Sequence, residues 1–141
     1  MTKLLSMIII ASEHWAQMQA DVASRFPEEA CGLVAGAGNR SSLVIPVTNT
    51  LHDPHRFRLD PQEELNAFLL AEEKGWEILA VYHSHPHGIF RPSPTDFAEL
   101  AFSEIIYLIW YQEADQWCCL PYLMHPPANA DEIALIISTK E

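Results

Sequence analysis

The sequence predicts an α+β fold, a single mixed, largely antiparallel β-sheet flanked by helices. Short apolar runs of strand length recur along the chain. Segments with helical apolar spacing fall between some of them, and the two kinds of segment do not alternate strictly as in a βαβ chain. The 141 residues hold no internal repeat, low-complexity tract or long linker, so residues 1–141 read as one domain. Hydrophobic residues make up 49% and charged residues 19%, a balance suited to a packed core rather than a disordered tail.

The elements follow in order. Leu4 to Ile10 reads as a buried first strand. The stretch Leu4 to Ala11 after Lys3 could also pass for a short signal peptide, but it is brief and interrupted by Ser6. Ser12 is the candidate N-cap of a helix to about Arg25, with Trp15, Met18, Val22 and Phe26 at helical spacing and Pro27 as its stop. Cys31 to Ala35, closed by Gly36 and Gly38, and Leu43 to Val47 read as strands. Asn49 to Leu59 is polar and reads as a loop or edge strand, suited to a wall or a lid.

Asp60-Pro61-Gln62-Glu63 is a helix start with a cap, a proline at the first helical position and a glutamate able to complete a capping box. Leu65, Phe68 and Leu69 form its expected apolar stripe, and Gly75 ends it. Trp76 to Tyr82 is a strand leading into His83, and Pro94 to about Phe102 a short helix. Ile105–Trp110, Trp117–Met124 and Ile133–Ile137 complete the strands.

The net charge of −11 disfavours phosphate backbones and anionic lipid surfaces, which argues against nucleic-acid and membrane partners. No apolar run approaches the ~20 residues that span a bilayer. Three cysteines, Cys31, Cys118 and Cys119, make an odd set with two adjacent. That is not a disulfide framework, and it points to a reducing, cytoplasmic location. On a strand only one of Cys118 and Cys119 faces the core. Trp15, Trp110 and Trp117 fit a core as well as an interface, so the oligomeric state is open.

The chemistry concentrates in His83-Ser84-His85-Pro86-His87-Gly88-Ile89-Phe90-Arg91-Pro92-Ser93-Pro94-Thr95-Asp96. Side chains two apart on a strand share a face, so His83 and His85 can converge on one ion. Asp96, in the first turn of the next helix, can supply a third ligand. Two histidines and a carboxylate leave a position for water on a catalytic zinc, where the water becomes a nucleophile near neutral pH.

Hydrolysis also needs a proton carrier. The acidic candidates are Glu28 and Glu29, if the Cys31 strand runs beside the His83–His85 strand. Ser93 can donate a hydroxyl to the developing oxyanion. Taken singly these residues have blander readings: surface histidines, a plain helix cap at Ser93 and Asp96, a solvated acidic pair.

Together they resemble the JAMM metalloproteases, the catalytically competent branch of the MPN (Mov34/PAD-1) family. Glu29 precedes Ala30-Cys31-Gly32-Leu33, and His83-Ser84-His85-Pro86 follows. Seven residues, Pro86 to Pro92, separate His85 from Ser93, and two more separate Ser93 from Asp96. Asn49, Phe57-Arg58-Leu59-Asp60-Pro61 and Tyr82 also look like the short prokaryotic members. The resemblance implies a deaminase-like sheet with flanking helices and one zinc held by His83, His85 and Asp96. It implies Glu29 as general acid/base and Ser93 as stabiliser of the tetrahedral intermediate, with Glu28 a neighbour only. It implies cleavage of a peptide or isopeptide bond at the C-terminus of a ubiquitin-like or ThiS/MoaD-like sulfur-carrier protein. A non-catalytic scaffold that binds a partner protein is the competing expectation. His87, a third imidazole, reads as a surface residue, a spare ligand or a substrate contact.

Overall fold

A computed structural model of the protein describes residues 6–100 and 105–139. Strand β1 (Met7–Ala11) leads directly into helix α1 (Ser12–Arg25). Ala11 occupies the cap position and makes no side-chain cap bond, so Ser12 is the first helical residue rather than the cap. Strands β2 (Cys31–Ala37) and β3 (Arg40–Val47) form a hairpin through Gly38, whose φ of 62° suits a residue without Cβ. Both strands run longer than their apolar runs, because ladder pairing extends through Ala37↔Arg40.

Helix α2 (Pro61–Lys74) starts and stops where its punctuation says. Asp60 Oδ1 accepts from the N–H groups of Gln62 and Glu63, and Gly75 ends the helix at φ 76°. The capping box does not form. Glu63 instead accepts from the backbone N–H and the hydroxyl of Thr48 at 2.7 and 2.8 Å, tying the helix to the end of β3. The expected apolar stripe also faces outward: Leu65, Phe68 and Leu69 are 51%, 37% and 54% exposed, whereas Ala67 and Ala71 are buried. The small-residue side of α2 is the side laid on β2, β3 and β4. Alanine lets the helix approach the sheet closely, and propensity alone does not reveal that choice.

Strand β4 (Glu77–His85) carries both histidines of the motif, and helix α3 (Pro94–Ala98) carries Asp96. Helix α3 ends at Ala98, short of the expected Phe102, which lies outside the described residues. Strands β5 (Ile106–Glu113) and β6 (Gln116–His125) turn through Ala114 and Asp115, both at positive φ. Polar β7 (Asn129–Glu132) had no apolar pattern to announce it and exists through backbone pairing with β6. Strand β8 (Ala134–Ser138) closes the series.

The strands form one sheet in the order β7-β6-β5-β4-β2-β3-β1-β8. The β2–β3, β2–β4, β5–β6 and β6–β7 pairs are antiparallel, and β1–β3, β1–β8 and β4–β5 are parallel. The expected mixed, largely antiparallel sheet is therefore found. Its two edges are joined in sequence by Ile133 alone, so the sheet curls around on itself. The Ile133 N–H reaches the Pro121 carbonyl at 3.1 Å.

Alternation sorts the core onto two faces. Ile8, Ile10, Val34, Tyr82, Leu108 and Trp110 pack with Met18 and Val22 of α1. Cys31, Leu33, Val81 and Ile109 pack with Ala67 of α2. Each fully buried side chain of this size contributes roughly 1.5–3 kcal/mol relative to exposure. Trp110 is fully buried and Trp15 packs against it at a tilt, ring centroids 4.7 Å apart, with Trp117 against the same cluster, so these tryptophans serve the core. Cys119 is the buried member of its pair and Cys118 the partly exposed one.

Candidate active site

The functional side chains sit where β2 and β4 run together. Cys31 pairs with His83 across the antiparallel ladder, which brings the residues just before β2 beside the end of β4. Ser84 turns to the opposite face from the two histidines. Its hydroxyl accepts from the Ala30 N–H at 2.8 Å, and its own N–H reaches the Ala30 carbonyl at 3.0 Å. The residue between the two histidines therefore fixes the backbone next to Glu29.

A second brace comes from α1. The Arg25 guanidinium grips Asp21 and donates to the carbonyls of Val47 and Cys31, each at 2.7 Å. The Tyr82 hydroxyl donates to Asp21 at 2.6 Å. Gly32 lies against the Tyr82 ring, where a Cβ would come within 2.3 Å of a ring carbon.

A third brace is Asn49, which is fully buried. Its amide donates to the carbonyls of Glu29 and Arg56, both at 3.0 Å, and its Oδ1 accepts from Leu51 and Arg58. The Glu29 N–H in turn reaches the Asp53 carbonyl at 2.9 Å. Phe57 from the same segment stacks on His83 at 4.6 Å. The 49–59 segment is thus a fixed wall. Asn49→Ala should lower stability by about 2–4 kcal/mol, because it orphans several buried polar groups at once. Chemical denaturation would measure this. Asn49→Asp should not rescue it, since an aspartate cannot donate to two carbonyls.

His83, His85 and Asp96 converge on one buried point. His83 Nε2 lies 3.2 Å from His85 Nε2 and 3.3 Å from Asp96 Oδ1, and His85 Nε2 lies 3.1 Å from Asp96 Oδ2. Donors on one tetrahedral zinc, each at ~2.0–2.1 Å, stand about 3.3 Å apart, so this triangle fits such an ion. His85 Nδ1 lies 2.9 Å from the Ile89 carbonyl. That partner fixes the proton on Nδ1 and leaves the Nε2 lone pair free for a metal. Asp96 also completes a capping box with Ser93 at the start of α3, which holds its carboxylate in place.

The electrostatics separate the groups by role. Burial, reinforced by Asp96, Asp53 and Glu99, pushes the Glu29 carboxyl up to about 9. Its Oε1 is buried without a partner. Burial lowers His83. Burial also acts against a charged His85, but its bonds to Asp96 prevail and raise it. Burial would raise Asp96, yet the two histidines hold it well below the usual carboxylate range. Burial pushes the Cys31 thiol up to about 12, so it is inert packing.

Of the residues singled out in the sequence, the structure brings His83, His85 and Asp96 into one cluster. Glu29 and Ser93 line the cavity that contains His85. Glu28 turns away to His52 at 3.0 Å. Sequence reasoning gave Ser84 and Pro54 no role, and His55 none beyond its place in a polar stretch. Their signal is spatial, since they reach Glu29 only after the strands pair.

The sequence profile of prokaryotic homologs of the JAB domain matches residues 11–120. The chain belongs to this family. A desampylase from Pyrococcus furiosus is 32% identical to it over 101 residues, 72% of each chain. A probable TtuB-protein conjugate cleaving protease from Thermus thermophilus is 31% identical over 122 residues, 86% of this chain and 76% of the relative. A CysO-cysteine peptidase from Mycobacterium tuberculosis is 33% identical over 91 residues, 63% of this chain and 62% of the relative. The solution structure of a protein from Desulfitobacterium hafniense superposes on this JAB domain with a TM-score of 0.84 at 30% identity, covering 94% of both chains. A JAB1/MPN domain protein from Archaeoglobus fulgidus shares the fold at TM-score 0.57 and 16% identity, over 94% of this chain and all of the other.

Proposed function

We propose that this JAB-family protein is a zinc-dependent peptidase of the JAMM type. Its substrate would be an amide bond at the C-terminus of a ubiquitin-like or sulfur-carrier protein. The observation that carries this reading is the buried donor triangle of His83, His85 and Asp96 with the unpartnered Glu29 carboxyl in the adjoining cavity. The names of the relatives, a conjugate-cleaving protease and a CysO-cysteine peptidase among them, support the substrate class.

His83, His85 and Asp96 would hold the zinc, which when bound polarises a carbonyl and brings a water to a pKa of ~7. The raised value of Glu29 belongs to the metal-free site, and a cation held beside it would favour the carboxylate. In that form Glu29 would take the proton of the attacking water and return it to the departing amine, the work of a general base and then a general acid. Ser93 Oγ accepts from the Asp96 N–H at 3.1 Å, which leaves its own hydroxyl proton free to stabilise a developing oxyanion. The three cysteines are free thiols, in keeping with the cytoplasmic location we propose. No described helix is long and apolar enough to cross a membrane.

The scaffold alternative lacks a supporting observation, since each residue of the hydrolytic set is present and Glu29 pays a burial penalty that packing does not need. The test is to purify the protein without a histidine tag, measure its zinc, and incubate it with carrier fusions ending in Gly-Gly. About one zinc per chain and release of the carrier C-terminus are expected. Bound zinc with no cleavage of any fusion would count against the peptidase reading. Failure to bind zinc would count against the metal site itself.

A further inference from the structure

The cavity beside the proposed zinc site, about 140 Å³, has a second wall that the hydrolytic chemistry does not use. Pro54 and His55 come from the 49–59 segment, and His87 and Ile89 from the turn after β4. The His55 and His87 rings lie 6.5 Å apart, and Phe26 at the end of α1 holds the His87 ring edge-on at 5.3 Å. Three separate stretches of chain therefore bring two imidazoles to the cavity that contains Glu29.

The other five histidines have polar partners. His14 meets Ser41, His52 meets Glu28, His83 and His85 meet Asp96, and His125 meets Asp131. Among the described residues the rings of His55 and His87 have aromatic neighbours and no polar partner. The nearby acids are engaged elsewhere: Glu28 with His52, and Asp53 Oδ1 with the backbone N–H of His55 at 2.7 Å. The Arg56 guanidinium, which could otherwise serve an anion here, is bound to Glu99.

Resting on the peptidase reading, we propose that His55 and His87 form the leaving-group subsite and bind a carboxylate there. Glu29 returns the proton to the departing amine, so the leaving residue must occupy the Glu29 side of the cavity. Besides Ser93 and the metal ligand His85, the side-chain N–H or O–H donors on its walls are the two imidazoles, and a carboxylate is an acceptor that each can serve. An ammonium there would find no acid except Glu29. The leaving group is therefore an α-amino acid, whose carboxylate stands one carbon from the scissile nitrogen. A lysine side chain of a folded protein has no such group there. Pro54 and Ile89 supply apolar contact for its side chain.

The test uses zinc-loaded protein and two peptides, acetyl-Gly-Gly-Ala with a free carboxylate and the same peptide as its carboxamide. Wild type should favour the free acid by about tenfold or more in kcat/KM, the scale of one charge-assisted hydrogen bond. In the His55→Ala/His87→Ala double variant that ratio should fall toward 1. Both side chains are exposed, so the double variant should fold. Equal hydrolysis of the two peptides by wild type, or a preference that survives the double substitution, would overturn the subsite.

A binding measurement stands apart from turnover. In zinc-loaded protein labelled at the histidine rings, N-acetylalanine should shift the His55 and His87 signals and N-acetylalaninamide should not. Shifts confined to His83 and His85 would mean direct ligation of the metal, and they would also overturn it. Hydrolysis of neither peptide, with the His55 and His87 shifts intact, would sink the peptidase reading and leave the carboxylate site standing.

Discussion

Glu29→Gln should lower kcat by about 10²–10⁴, the range expected when a positioned proton carrier is removed, while zinc content stays at the wild-type level. The same substitution should stabilise the metal-free protein. Burial lifts the Glu29 carboxyl to about 9, with help from Asp96, Asp53 and Glu99. Between its ordinary value of 4.5 and about 9 the folded state keeps the proton and the unfolded chain loses it. Stability is therefore complete below 4.5 and falls as pH rises through this window.

A glutamine has no proton to lose, so the variant does not share that fall. At pH 8 the metal-free variant should exceed wild type by on the order of 2–4 kcal/mol, and the difference should close as pH drops toward 4.5. The opposite pull of Asp96, whose stabilisation is lost on acidification below its ordinary range, is common to both proteins and cancels in the comparison. Denaturant titrations of the two metal-free proteins across pH 4–9 would measure it. A pH-independent difference would show that burial does not hold the Glu29 carboxyl above its ordinary range.

Much of the candidate site was legible because its proposed ligands lie close in sequence. His83 and His85 share a face through strand periodicity alone, and the cap that starts α3 also delivers Asp96. Glu29 was harder, since residues alone left Glu28 equally eligible. Ladder pairing of Cys31 with His83 brings this stretch to the histidines, where Glu29 lines the cavity and Glu28 turns to His52, and that placement is a long-range fact. The braces were less legible still. Ser84, Asn49 and Arg25 act by holding backbone groups of Ala30, Glu29 and Cys31, partners 54, 20 and 6 residues away that nothing in their local sequence marks.

The fold errors share a cause. Helix α2 has a correct start and stop, because caps are local chemistry, but its buried face was assigned to the large apolar residues. The sheet accepts the Ala67 and Ala71 side, and helical periodicity could not choose between the two stripes. Strand β7 was missed because its residues are polar and its stability comes from the backbone of β6.

Asp96 carries the largest expected loss of metal, and two substitutions separate its two duties. Its carboxylate faces both histidines, and Oδ2 also accepts from the Ser93 N–H at 2.8 Å. Asp96→Asn keeps an oxygen for the Ser93 N–H and so keeps the cap, but it removes the anionic ligand. Asp96→Ala removes both. Each should weaken zinc binding by at least about 100-fold and abolish turnover, because two neutral imidazoles remain where a charged third donor stood. Both variants should lose the metal-free stability that the charged carboxylate gains from the two histidines, and the alanine variant should lose a further ~0.5–2 kcal/mol from the missing cap bond. A chelator competition titration reads the first effect and denaturation of the metal-free proteins the second. Wild-type zinc affinity in the asparagine variant would remove Asp96 from the ligand set and leave it a cap. Zinc loss in both variants, with the larger stability loss in alanine, would show one carboxylate serving as helix cap and metal ligand together.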